Sequence, residues 1–145
     1  MEMRTINRED LLKRTAFHHD WVNVGYTDPR ELQQFTMIGH PRLGQEQPVT
    51  PIIDGDEGFS LTVVSASPGH GPRMHNHAEN ETFVVLSGRW RFIVGEGDDQ
   101  QEIVLGKYDT ISMPNFVPRS FVNLENDSGG DEQSLVLALN MSDRP

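Results

Sequence analysis

From Phe59 onward the chain is cut into short β-rich runs, each closed by a turn signal, and this rhythm restricts the fold more than any other feature. The runs cover residues 59–65, 74–77, 81–86, 89–94, 102–105, 110–113, 118–124 and 134–139. Between them lie Ser67-Pro-Gly69, Ser87-Gly88, Gly95-Glu-Gly-Asp-Asp99, Gly106 and Asn126-Asp-Ser-Gly-Gly130, all sequences that favour tight turns or positive φ. No helix-length apolar period interrupts them. Strands of this length and spacing predict an antiparallel sandwich or barrel.

The N-terminal third is less regular. Asn7-Arg-Glu-Asp10 followed by Leu11-Leu12-Lys13-Arg14 reads as a short helix, with Asn7 as N-cap, acids in its first turn and bases in its last. Residues 21–24 and 35–38 alternate as short strands do, separated by Pro29 and by the stretch holding Pro41, Gly44 and Pro48. A chain of 145 residues can bury one sizeable core. With no repeat, linker or low-complexity tract, residues 1–145 are expected to form a single domain. Its barrel core should run from about 55 to 141, with the helix and isolated strands in residues 1–54. Those strands lack an obvious sheet of their own and could complete a neighbour's edge, which predicts a homodimer.

Composition removes several classes of function. Cysteine is absent, which excludes thiolate catalysis, Cys-ligated zinc and disulfides, and makes a reducing cytoplasm the expected location. No run approaches the roughly 20 apolar residues that span a bilayer, and Met1-Glu-Met-Arg-Thr-Ile6 has no basic region leading into an apolar one, so neither membrane nor export is expected. Twelve Lys and Arg against 22 Asp and Glu give a formal charge of -10, which repels phosphate backbones and anionic lipid and argues against nucleic-acid and membrane partners. A small anionic ligand is not excluded, because one buried arginine outweighs a distant field where the local dielectric is low.

The chemistry-bearing residues cluster around His75-Asn-His77. On a strand, two histidines two residues apart point to one face. Ala78-Glu-Asn80 reads as a tight turn, after which residues 81–86 return antiparallel with Glu81, Phe83 and Val85 on one side. If that side is the barrel interior, Glu81 faces both imidazoles above an apolar floor. Two neutral imidazoles and a carboxylate with open positions opposite suit Fe, Mn, Ni or Zn as a single divalent ion.

A His-x-His pair alone is common surface composition, but here it stands in a longer frame. Gly69, five residues, His75-x-His77, three residues, Glu81, six residues and Gly88 follow one another without a gap. This frame resembles the first motif of the cupin superfamily, whose two histidines and glutamate are metal ligands. The resemblance implies an all-β double-stranded β-helix, or jelly-roll barrel, with His75, His77 and Glu81 as metal ligands. The second cupin motif is similar to the stretch from Gly106 to Asn123. Pro114 and Asn123 agree with it, whereas Phe116 stands where glycine is expected, the Gly106-to-Pro114 spacing is longer, and Arg119 occupies the place of the fourth ligand.

An arginine offers only donors and stays protonated, so it does not ligate a metal. Three readings of Arg119 follow: a clamp for an acidic substrate beside a three-ligand metal, a stabiliser of transition-state charge, or the mark of a site whose metal affinity has decayed. In a fourth, Arg119 points outward or pairs with an acid such as Asp109. Among weaker candidates, His70 and Arg73 flank the first motif, Glu79 falls in the expected turn, and His18-His19 read as a solvated run. Met74, Phe83, Val85, Ile111, Met113 and Phe121 are the expected barrel filling.

Cupins include dioxygenases, isomerases, lyases, decarboxylases, cyclases and non-enzymatic binding proteins, so the resemblance alone does not choose an activity. The expectation is a small metal-dependent enzyme, dioxygenase-like, acting on a compact anionic or aromatic molecule, with Glu81 and Arg119 as catalytic residues. The alternative is a non-enzymatic small-ligand-binding cupin with weak or no metal.

Overall fold

A computed structural model describes residues 26–28, 32–39, 51–54, 58–76, 78–127 and 134–141. The described strands are β1 (Tyr26–Asp28), β2 (Leu32–Gly39), β3 (Ile53–Asp54), β4 (Phe59–Ala66), β5 (Glu81–Val85), β6 (Arg89–Val94), β7 (Gln101–Leu105), β8 (Thr110–Met113), β9 (Arg119–Glu125) and β10 (Ser134–Met141). A 3-10 turn, Gly97–Asp99, joins β6 to β7. None of the described helical structure is long and apolar enough to cross a membrane.

The strands form two sheets. The large one runs β1-β2-β4-β10-β5-β8, with β3 parallel to β2, and the small one runs β7-β6-β9. The last long strand, β10, lies between β4 and β5, so two segments distant in sequence are zipped on either side of it. The early strand β2 pairs along β4 within the chain, so it already has the sheet that the homodimer expectation supposed it lacked.

Alternation fixes which side of each strand enters the core. On β5, Glu81, Phe83 and Val85 are buried while Thr82 and Val84 are half-buried, the period of two that pleating imposes. On β9, Arg119, Phe121 and Asn123 lie opposite Val94, Phe92 and Trp90 of β6. The two inner faces meet in an aromatic cluster. The Phe83 ring from the large sheet lies 5.6 Å from Phe92 and 5.0 Å from Phe121, and Trp90 lies 5.7 Å from Phe121. Trp90 also donates its indole N–H to the Ser87 carbonyl, so its polar end is satisfied inside the core. Val64, Ala66, Met113, Val136 and Ala138 complete the packing. Each large side chain withdrawn from water contributes about 1.5–3 kcal/mol, which makes this cluster the main source of sheet-to-sheet cohesion.

The structure departs from the sequence-based expectations in identifiable places. Residues 74–76 form no strand; the contact there is an isolated bridge between His75 and Arg119. Gly71 and Pro72 interrupt the pairing: the segment is bonded to β9 at Gly69 and His70, opposite Asn123, and again at His75, opposite Arg119, while Pro72 between them has no N–H to donate. A Cβ built on Gly71 would collide with the Phe121 carbonyl oxygen. Met74, expected in the core, is 41% exposed, because it belongs to this irregular segment. Ile111 is half-buried, whereas Phe83, Val85, Met113 and Phe121 fill the interior. The expected helix at residues 7–14 and the strand at 21–24 lie outside the described residues.

Candidate functional site

Glu81 opens β5 and Arg119 opens β9, so the site lies at one end of both sheets. Asn80, in the turn before β5, donates to the Met113 carbonyl at 3.0 Å and to Ser112 Oγ at 3.1 Å. These bonds pin the start of β5 to β8, where Glu81 is paired with Met113. The Glu81 side chain enters the core and the residue is only 6% exposed.

Arg119 is 0% exposed, so it does not face solvent, and the acid it pairs with is Glu81 rather than Asp109. Its Nη1 lies 3.5 Å from Glu81 Oε1 across the gap between the sheets. Nε donates to the Val117 carbonyl at 3.0 Å and Nη2 to the Pro114 carbonyl at 2.8 Å. The guanidinium therefore staples the loop that joins β8 to β9 and neutralises a buried carboxylate as well. Asp109 instead accepts from the Gly106 N–H at 2.9 Å and closes its own turn.

Phe116, at the motif position where glycine is usual, has φ +63 and is 67% exposed. The backbone has kept the left-handed conformation that glycine adopts freely and an aromatic residue resists. Arg119 binds carbonyls on both sides of it, at Pro114 and Val117, and so holds the loop in this shape.

His75 stands next to Arg119. Its N–H donates to the Arg119 carbonyl at 2.9 Å, and the Arg119 N–H donates back at 2.7 Å. The half-buried His75 ring places Nδ1 2.6 Å from the Arg73 carbonyl. A carbonyl only accepts, so Nδ1 carries the proton, and in the neutral ring the lone pair is on Nε2, the form that can ligate a metal. His77, the second expected imidazole, lies outside the described residues, and among those residues no group of three or more His, Asp or Glu converges as a metal cluster. The donor chemistry of His75 and Glu81 fits a divalent ion, with one obstacle: Glu81 already has a cation beside it.

The remaining candidates are peripheral. His70 Nδ1 bonds the Pro68 carbonyl at 3.1 Å, Arg73 is exposed and Glu79 is half-buried. His18 and His19 lie outside the described residues. Asn123 acts at the other end of β9, where its amide donates to the Ala66 carbonyl at 2.8 Å and to Asn126 Oδ1 at 2.9 Å, latching β9 to β4. Sequence reasoning missed the loop carbonyls as partners of Arg119, and no side-chain signal marks a backbone acceptor.

Two sheets enclosing an aromatic core, with a buried charged pair at one end, define a jelly-roll barrel with an internal polar site. Residues 62–129 match the family model of the cupin domain, and the two-sheet β-architecture agrees with a cupin barrel. The fold is similar to KdgF from Halomonas sp., at 20% identity and TM-score 0.58, with 87% of this chain and 90% of that one covered. It is also similar to recombinant oxalate oxidase in complex with glycolate, at 18% identity and TM-score 0.60, covering 89% and 60%. A third similar structure is the DMSP lyase DddQ from Ruegeria pomeroyi DSS-3, at 19% identity and TM-score 0.56, covering 78% and 48%. No curated protein sequence matches the chain.

Proposed function

We propose that this cupin binds one divalent first-row transition metal, Fe, Mn, Ni or Zn, through His75, His77 and Glu81, and acts on a compact anionic or aromatic small molecule. The observation that carries this reading is the placement of Glu81 and Arg119, two buried opposite charges beside His75 at one end of a largely apolar interior. Charges are not retained in a core for packing alone, since well-packed apolar residues serve stability as well or better. When bound, the ion would supply Lewis acidity and, for iron or manganese, redox capacity. Glu81 holds the ion or takes a proton from the substrate, and Arg119 faces the substrate's negative charge. Phe83, Phe92 and Phe121 exclude water beneath them. Among proteins of similar fold, oxalate oxidase with bound glycolate handles small carboxylates, which supports a ligand of that size and charge here.

A second reading is favoured by the same pair. Because Arg119 neutralises Glu81 directly, the site is balanced without a metal, as a ligand-binding cupin without turnover would be. Elemental analysis of protein made without a histidine tag, followed by dioxygen uptake on catechols, diketones and hydroxy acids, separates the two. Metal together with uptake on one of these classes supports an oxygen-using enzyme. A metal-free protein inert to all of them supports the binding protein.

A further inference from the structure

The donors of Arg119 are unequally engaged. Nε and Nη2 are fixed on the Val117 and Pro114 carbonyls, so the guanidinium cannot turn without releasing its loop. Nη1 is buried and makes no hydrogen bond among the described residues; Glu81 Oε1 lies 3.5 Å away, close enough for attraction between charges but long for a charge-assisted hydrogen bond. A buried donor left so is costly, and Glu81 Oε1 opposite it also lacks a hydrogen bond among the described residues, so Nη1 is the atom of Arg119 with capacity for a further acceptor oxygen. The backbone pairing of Arg119 with His75 puts Arg119 beside the first of the expected metal ligands.

We propose that Arg119 and a metal ion are alternative cations for Glu81, and that Nη1, relieved of Glu81 when the metal takes it, receives one oxygen of the substrate's anionic group. Metal and anion then bind as a mutually reinforcing pair. This rests on the metal-and-anion reading above and adds an order to it. Without metal, Glu81 and Arg119 together are neutral, and an incoming anion would meet the carboxylate's repulsion. With a dication on Glu81, the buried guanidinium loses its compensating charge, and an anion restores it in a low-dielectric interior where such terms are large. Because Nε and Nη2 are committed to the loop, the contact is through one nitrogen and suits a small carboxylate rather than a ligand needing a two-pronged clamp. Arg119 in this scheme binds substrate and reports the state of Glu81, and it never ligates the metal.

Calorimetric titration with Zn(II) and with formate tests this in two arms. In chelator-treated protein, Glu81→Gln keeps the side-chain shape but removes the competing charge, and should bind formate roughly tenfold or more tightly than the wild type, within the usual range of site coupling. In the wild type, saturating formate should tighten Zn(II) by roughly tenfold, and Zn(II) should tighten formate by the same factor, because linkage is reciprocal. Arg119→Met should reduce that factor to about one. If the factor persists in Arg119→Met, formate is meeting the metal directly and the proposal is wrong. Equal formate binding by Glu81→Gln and wild type, with Zn(II) binding intact, also overturns it while leaving the metal reading standing. Absence of Zn(II) binding in the wild type defeats the metal reading and the linkage with it.

Discussion

Glu81 and Arg119 face one another from different sheets, Nη1 to Oε1 at 3.5 Å, so that a single ion pair spans the barrel between the first residue of β5 and the first residue of β9. Their environments differ in what depends on them. Arg119 also holds two loop carbonyls, whereas Glu81 stands above the aromatic cluster.

Removing either charge should be costly, because the other is left buried without compensation. Arg119→Met is expected to lose about 3–5 kcal/mol, and Glu81→Gln somewhat less, since the amide keeps a partly negative oxygen near Nη1. The double variant should be more stable than the sum of the single losses predicts, by about 1 kcal/mol or more. Urea denaturation of the four proteins reads this cycle, and strict additivity would mean that the pair contributes nothing to sheet-to-sheet cohesion.

Phe116 offers a gain. Its left-handed backbone costs about 1–2 kcal/mol for a residue with a Cβ, while glycine's extra freedom in the unfolded chain subtracts roughly 0.5–1 kcal/mol. With the ring 67% exposed, little burial is lost on removing it. Phe116→Gly should therefore stabilise the protein by up to about 1 kcal/mol, raising Tm by roughly 2–4 °C. A lowered Tm would show that the ring makes a contribution larger than the backbone strain.

The comparison of sequence with structure turns on which interactions are periodic. The strands β6 and β8 begin and end where the turn chemistry predicts, and the inward parity of Glu81, Phe83 and Val85 follows from pleating alone. The motif spacing singled out His75, Glu81 and Arg119, and in the structure Arg119 lies beside both of the others. Hidden from that reading were the contacts that depend on two sheets closing. Nothing local to Arg119 identifies Glu81 as its partner, and nothing local to Gly71 identifies the Phe121 carbonyl as its neighbour. The same gap explains Met74, which alternation placed in the core and an irregular Gly-Pro segment turns outward.

Gly71 carries a steric prediction. Because the obstacle to a Cβ is backbone, neither side can yield cheaply, and Gly71→Ala must push the segment away from β9. A loss of about 3 kcal/mol is expected, together with weakening of the His75–Arg119 bridge that orients the site. Hydrogen exchange should show faster loss of protection at the His75 and Arg119 amides than in the wild type. Unchanged exchange and stability would mean that the close approach to Phe121 is not maintained in solution.

The central claim, that His75, His77 and Glu81 together hold a metal, is tested most directly by elemental analysis of untagged wild-type protein beside His75→Ala, His77→Ala and Glu81→Ala. The account predicts about one first-row divalent metal per chain in the wild type and little in each variant, because each removes one of three protein ligands. Full occupancy in all three variants would contradict it and place the metal elsewhere.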